Sequence, residues 1–293
     1  MSYISKLSDM ETWLSNIRAY ASEVAPDILP VLDIYIGEAL FGRQFIAHDL
    51  TQIQSGSTIL EIGAGSMLLS CQLVREGFRV TALEPIGSGF SHFERLRELI
   101  INRAIFYACM PEIINQPVEK LSVQNCFDYA FSINVMEHVE NVELSLSLVG
   151  KSLKKNAIYR FTCPNYSFPY EPHFNCLTLF SKSLTEKFFG KQIFLNKLIP
   201  DAQGTWESLN WINVIQIKRR IKQLPELSVS FNQKLLVSTL NRIVIDREFA
   251  KRRSKWICLG IKMLVKLRLH YLTWFIPTIF QPIIDCKITR IQD

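Results

Sequence analysis

The chain has 293 residues, 48% hydrophobic and 20% charged, with 33 Lys and Arg against 27 Asp and Glu for a formal charge of +6. That composition excludes a disordered chain, and its mild basicity falls short of a dedicated nucleic-acid binder. Seven scattered cysteines form no CxxC pair, which excludes a disulfide framework and a zinc knuckle and fits a reducing, cytoplasmic setting. Met1 to Lys6 leads into no apolar run with a cleavage site, so no secretory signal is expected.

The first fifty residues read as helices punctuated by Pro26 and Pro30. From Ser57, short apolar runs alternate with longer amphipathic stretches, the pattern of βαβ units. Thr58 to Ile62 is a buried strand, followed by Gly63-Ala64-Gly65 and a helix from near Ser66. Arg79 to Glu84 is a second strand, closed by Pro85, and His92 to Ala104 is helical. Ala108 to Ile114 makes a weak third strand. Phe127 to Ile133 is the fourth, leading into a helix from about Glu137 to Leu153, and Ala157 to Thr162 is the fifth. Strands and helices so interleaved predict an α/β, Rossmann-like, doubly wound and mostly parallel sheet.

Tyr166 to Asn210 reads as a loop-rich aromatic stretch, in the manner of substrate-covering segments. Glu226 to Phe231 and Asp285 to Ile291 are β-like and would complete the sheet as an edge hairpin. The expected organisation is a helical segment over 1–50, a Rossmann-like core over 51–175, and a substrate-covering, helical, amphipathic C-terminal extension over 176–293.

Trp256 to Ile284 is the most apolar stretch, but Lys262, Lys266, Arg268 and His270 interrupt it, so it is not expected to span a bilayer. It can pack on its own domain, dimerise, or lie on the inner membrane surface with its cations among the headgroups. The basic clusters Lys218-Arg219-Arg220 and Lys251 to Lys255 suit phosphates, anionic lipid or plain solvent. The expected setting is therefore cytoplasmic, with peripheral membrane contact as one option. No oligomeric state is implied.

The chemistry concentrates after the first strand. Glycines at 63 and 65 allow a sharp strand-to-helix turn and close ligand approach. Glu84, at the end of the next strand, can accept both hydroxyls of a ribose. A dinucleotide fingerprint would place glycine at position 68, where Leu68 stands, and Glu61 would repel a pyrophosphate. A cationic sulfonium cofactor with an ammonium group tolerates that acid better.

Ile59 to Gly65, Val80 to Pro85 and Phe127 to Val139 together resemble the class I S-adenosylmethionine-dependent methyltransferases, in particular their ubiquinone-pathway O-methyltransferase branch. The resemblance covers roughly residues 40 to 175. It implies S-adenosylmethionine as cofactor, with Glu61, Gly63 and Gly65 at the methionine end and Glu84 at the ribose. Val118 falls where the adenine-contacting segment runs, and Ala64, Pro85 and Asn134 complete the implied cofactor-binding set.

Methyl transfer to a hydroxyl needs alignment and a base. His138, near the end of the fourth strand, is the first candidate, with Glu137 beside it and His173 from the Tyr170-Glu171-Pro172-His173-Phe174 run as a second imidazole. Asn134 to His138 also resembles the ExxEH segment of ubiquinone-pathway O-methyltransferases and small-RNA 2′-O-methyltransferases, which can hold a divalent metal. Asn134 stands in place of the first acid, so no metal site is expected, and Glu137, His138 and His173 converging on Mg²⁺ or Mn²⁺ is the alternative. The expected acceptor is a glycan, lipid-linked saccharide or small molecule. The alternatives are a nucleic-acid 2′-hydroxyl, which the modest charge disfavours, or no acceptor at all in a non-catalytic binding or assembly protein.

Overall fold

The computed structural model describes residues 3–85, 92–196, 199, 201–251 and 253–292. In chain order its elements are α1 (Tyr3–Val24), α2 (Leu29–Leu50), β1 (Thr58–Ile62), α3 (Leu68–Arg75), β2 (Arg79–Leu83), α4 (His92–Phe106), β3 (Glu112–Ile114), β4 (Phe127–Ile133), α5 (Val142–Ser152) and β5 (Leu153–Pro164). There follow α6 (Lys182–Phe194), α7 (Ala202–Ser208), α8 (Val214–Ile221), β6 (Leu227–Phe231), α9 (Leu235–Ile245), α10 (Arg247–Lys251), α11 (Lys255–Lys266) and β7 (Ile283–Arg290). The strands form one sheet in the order β3-β2-β1-β4-β5-β7-β6. β1 pairs with β2 and β2 with β3 in parallel, whereas β7 runs antiparallel to both β5 and β6. This is the doubly wound, Rossmann-like class. The two late β-like runs do complete the sheet, but residues 232–282 lie between them, so they are adjacent strands without being a hairpin.

By internal contacts the chain forms two compact units, the first comprising Met1–Pro117 with Cys126–Phe131. In it, every residue of β1 after Thr58 is buried, Glu61 included, as in a strand covered on both faces. Met10, Trp13 and Ile17 of α1, Leu32 and Ile46 of α2 and Leu73 of α3 are buried with it. Trp13 Nε1 donates to the Leu68 carbonyl at 3.3 Å, tying α1 to the start of α3. Arg43 of α2 grips Glu76 through Nε and Nη2 at 2.7 and 2.8 Å, with both side chains out of water.

The second unit comprises Val118–Asn125 and Ser132–Asp293. Its sheet is β5, β7 and β6, with Leu146, Val149, Ile217, Leu227, Ile284 and Ile288 buried around it. Two expectations are corrected here. The helix expected from about Glu137 starts instead at Val142, because the Asn141 side chain caps it by accepting from Leu144 N at 3.0 Å. The loop-rich stretch from Tyr166 to Asn210 holds α6 and α7, capped by Ser181 and Asp201, which accept from Leu184 N and Gly204 N.

β5 and β7 are joined by a buried ion pair as well as by their ladder. Arg160 donates to Asp285 from Nε at 2.9 Å and Nη2 at 2.7 Å, and Asn232 Nδ2 adds a third donor at 2.9 Å. Removing one member of a buried pair strands the other charge. Asp285→Ala therefore lowers unfolding stability by about 3–5 kcal/mol, read as the shift of a urea midpoint at constant slope. A loss below about 1 kcal/mol would show that water reaches the pair.

Candidate active site

In the first unit, β1 delivers Glu61 and then turns sharply. Gly63 and Gly65 have φ of 71° and 48°, and Met67 follows at 65°. Glycine meets the first two at no steric cost, whereas Met67 accepts the left-handed conformation as the N-cap of α3. The turn is stitched to the end of β2: Gly63 N donates to the Leu83 carbonyl at 2.8 Å, and Gly65 N donates to Glu84 Oε2 at 2.9 Å. Ala64 is buried within the turn, and Pro85 is half-buried after Glu84.

Two acids thus face the same glycine turn. Burial pushes the Glu61 carboxyl up to about 8; the Ser70 hydroxyl, which donates to it, opposes the shift, and the charge of Glu84 adds to it. Burial also raises Glu84, against the pull of the Gly65 N–H and the Arg97 guanidinium. Such a place favours a ligand that brings positive charge and hydroxyl donors. Neither Ser70 nor Arg97 stood out in the sequence. Ser70 sits in the first turn of α3, facing back toward Glu61, and only the placed helix shows it.

In the second unit, β4 ends at Ile133, and the exposed Asn134 turns the chain at φ 55°, its N–H donating to the Thr162 carbonyl at 2.8 Å. Val118 is buried in the short 3-10 turn Val118–Lys120. The turn after Asn134 carries Glu137 and His138, and Asn210 clamps it. Asn210 Nδ2 donates to the carbonyls of Met136 and Val139, both at 2.8 Å, and its backbone N–H donates to that of Glu137. His173 arrives on the loop between Glu171 and Cys176, closed by their paired backbones. Its Nδ1 lies 2.5 Å from Glu171 Oε1, while Phe174 N donates to Glu171 Oε2 at 2.6 Å.

The structure brings Glu137, His138 and His173 together: one ligand atom of each lies within 4.8 Å of the others, and the two imidazole rings are 5.4 Å apart. Glu137 is wholly buried, and neither carboxylate oxygen has a hydrogen-bond partner among the described residues. Burial raises its carboxyl to about 7, opposed by His173. Burial and the neighbouring His173 push His138 down to about 3, a neutral ring whose Nδ1 lies 2.8 Å from Ser208 Oγ. Burial works against a charged His173, but the bond to Glu171 and the charges of Glu171 and Glu137 outweigh it and raise its pKa. The cluster therefore pairs one imidazole held neutral with one whose neighbours favour its charged form.

An aromatic wall stands behind these groups. Trp206 packs edge-on against Phe174 and Trp211, and Trp211 stacks on Tyr166 at 5.0 Å. Asn210 and Ser208 carried no signal in the sequence, since their partners lie about seventy residues away. Glu171 stood within the Tyr170 to Phe174 run, but its hold on His173 shows only in the fold.

A family model described as "Methyltransferase domain" matches residues 60–161. An uncharacterized protein of Mycobacterium tuberculosis (strain H37Rv) is 40% identical over 281 residues, covering 96% of this chain and 95% of that one. The ubiquinone biosynthesis O-methyltransferase of Rickettsia typhi is 27% identical over 115 residues, covering 38% of this chain and 41% of its own length. Among solved structures, phosphoethanolamine N-methyltransferase 2 of Haemonchus contortus, in complex with S-adenosyl-L-methionine, aligns with a TM-score of 0.49 at 16% identity. That alignment covers 84% of this chain and 51% of the other.

The raised Glu61 pKa has a sign that can be checked. Its folded-state value exceeds its unfolded one, so the stability it contributes is complete below about pH 4.5 and is lost as pH rises toward about 8. Glu61→Gln keeps the uncharged form at every pH. Without added ligand, the variant melts close to the native chain near pH 5 and above it near pH 9. Parallel melting curves across that range would mean that Glu61 is ionised throughout.

Proposed function

Given that the chain belongs to the class I S-adenosylmethionine-dependent methyltransferase family, we propose that it is an O-methyltransferase of a glycan, lipid-linked saccharide or small molecule. It is an enzyme that uses S-adenosylmethionine. The oxygen acceptor is supported by one observation above all, the buried grouping of Glu137, His138 and His173. A hydroxyl nucleophile must lose its proton as the methyl group arrives, and a neutral imidazole backed by a second ring can take it. The partial likeness to ubiquinone-pathway O-methyltransferases points the same way.

In this reading Glu61 faces the cofactor's ammonium and sulfonium end, and Gly63, Ala64 and Gly65 let it approach the backbone. Glu84 accepts from both ribose hydroxyls, with Pro85 beside it; the family resemblance assigns Val118 to the adenine-contacting segment and Asn134 to the cofactor-binding set. His138 removes the acceptor proton. Glu137 balances the positive charge that forms on that ring, while Asn210 holds the turn and Glu171 holds His173 beside it. Displacement forms the new oxygen–carbon bond as the sulfur–carbon bond breaks, leaving S-adenosylhomocysteine, and the acceptor proton passes to His138.

The oxygens of Glu137, without a hydrogen-bond partner among the described residues, favour a second reading, in which Glu137, His138 and His173 hold a divalent cation. Ser208 and Glu171 would orient the two rings from behind. A bound cation would supply Lewis acidity toward the acceptor hydroxyl. The metal content of chelator-treated protein, before and after dialysis against Mn²⁺ and in Glu137→Gln, decides between the readings: about one equivalent, lost in the variant, selects the cation.

Two variants test the main reading. Glu84→Ala removes two charge-assisted bonds, each worth about 1.5–3 kcal/mol, so calorimetry shows S-adenosylmethionine affinity falling by at least about a hundredfold with unchanged circular dichroism. Native affinity in that variant removes Glu84 from the ribose. His138→Asn, assayed with labelled S-adenosylmethionine against panels of alcohols and amines, lowers kcat by about 10²–10⁴-fold with alcohols and leaves cofactor affinity intact. Transfer confined to amines, or undiminished in His138→Asn, rules out this reading.

A further inference from the structure

From Phe249 to Ile284 the chain has seven Lys and Arg and no Asp or Glu, leaving 26 basic against 27 acidic residues in all the rest. The basicity of the whole chain therefore resides in one stretch of 36 residues. Arg252 lies outside the described residues; most of the others fall on or beside α11.

α11 is apolar in sequence, yet none of its twelve residues is buried. It rests on α9 and on the 3-10 segment Leu269–Phe275. At about 100° per residue, Lys255, Lys262 and Lys266 align in one stripe. Trp256, Met263 and Leu267 align in the next, and Leu259 falls between the two. Trp256 is 82% exposed, and Met263 and Leu267 are exposed as well. The 3-10 segment continues the apolar surface with Leu272 and with Phe275 at 81% exposure. So much contiguous apolar surface on a folded chain marks a contact site.

We propose that this face docks on an anionic lipid bilayer. Three features select that occupant. Protein interfaces exclude lysine from their centres, whereas a bilayer surface lets lysine lay its stem along acyl chains with its ammonium among phosphates. Trp256, Tyr271 and Trp274 are the residue types that settle at headgroup depth. A nucleic acid would draw on the cations but leave the apolar stripe with nothing to cover it. Among the described residues no helix is long and apolar enough to cross a membrane, so the contact lies in the interface plane. The stripe enters the acyl boundary, and the lysines meet the lipid phosphates.

The test is co-flotation of the full chain with vesicles of phosphatidylcholine alone, or with about one-third phosphatidylglycerol. The native chain floats with the anionic vesicles, and added salt weakens its binding. Trp256→Ser/Met263→Ser/Leu267→Ser and Lys255→Glu/Lys262→Glu/Lys266→Glu each lower the partition coefficient by about a hundredfold or more. Both bind S-adenosylmethionine as the native chain does, which shows that they fold. Failure of the native chain to float, or native-like flotation of the serine variant, overturns the proposal. So does a native dimer that the serine variant dissolves while vesicles go unbound, since the face would then join two copies.

Discussion

Glu137 has no access to water and, among the described residues, no hydrogen-bond donor on either carboxylate oxygen, and the segments around it are organised by that fact. A carboxylate so placed costs several kcal/mol unless it takes a proton or faces positive charge. The chain supplies the second remedy with His173, and Glu171 holds that ring in a state fit to carry charge. It meets the geometric demand with Asn210, whose amide fixes the turn from both sides. Such an arrangement is expensive to keep for stability alone, and apolar residues of like size would cost less. Its retention is intelligible as chemistry.

The first unit solves a related problem differently. Glu61 is buried against Ser70, and Glu84 is tied to the glycine turn by the Gly65 N–H. Burial raises both carboxyls, and the charge of Glu84 raises Glu61 further. A ligand that brings positive charge to these acids relieves that tension, where an anionic one would worsen it. The sign of the ligand is thus set by two residues before any contact is made.

What was legible in the chain follows from the range of the forces involved. β1, β2 and β4 are short, mostly apolar runs bounded by turn residues, so they stood out, as did the acid at the end of β2. The late strands β6 and β7 were visible by alternation, although their separation hid that they are not a hairpin. The start of α5 was misplaced because apolar spacing continues smoothly through Met136 and Val139, while the boundary depends on one amide at Asn141. α6 and α7 were missed within the aromatic stretch, since Phe, Trp and Pro suggest loops more strongly than two short helices announce themselves. His173 was noticed beside its proline and aromatic neighbours. Ser208 and Asn210 act through contacts about seventy residues away, and such bonds leave no periodic trace.

The position of β7 has a further consequence. It lies between β5 and β6, so the basic, apolar stretch that precedes it leaves the sheet after β6 and returns to the same sheet. It is a handle fixed at both ends, unlike a tether hanging from one. A tether would let the second unit swivel freely beneath whatever it held. A handle fixes the tilt, so each molecule of that unit would meet an adjoining surface in the same pose, with its histidine cluster always at the same angle to it.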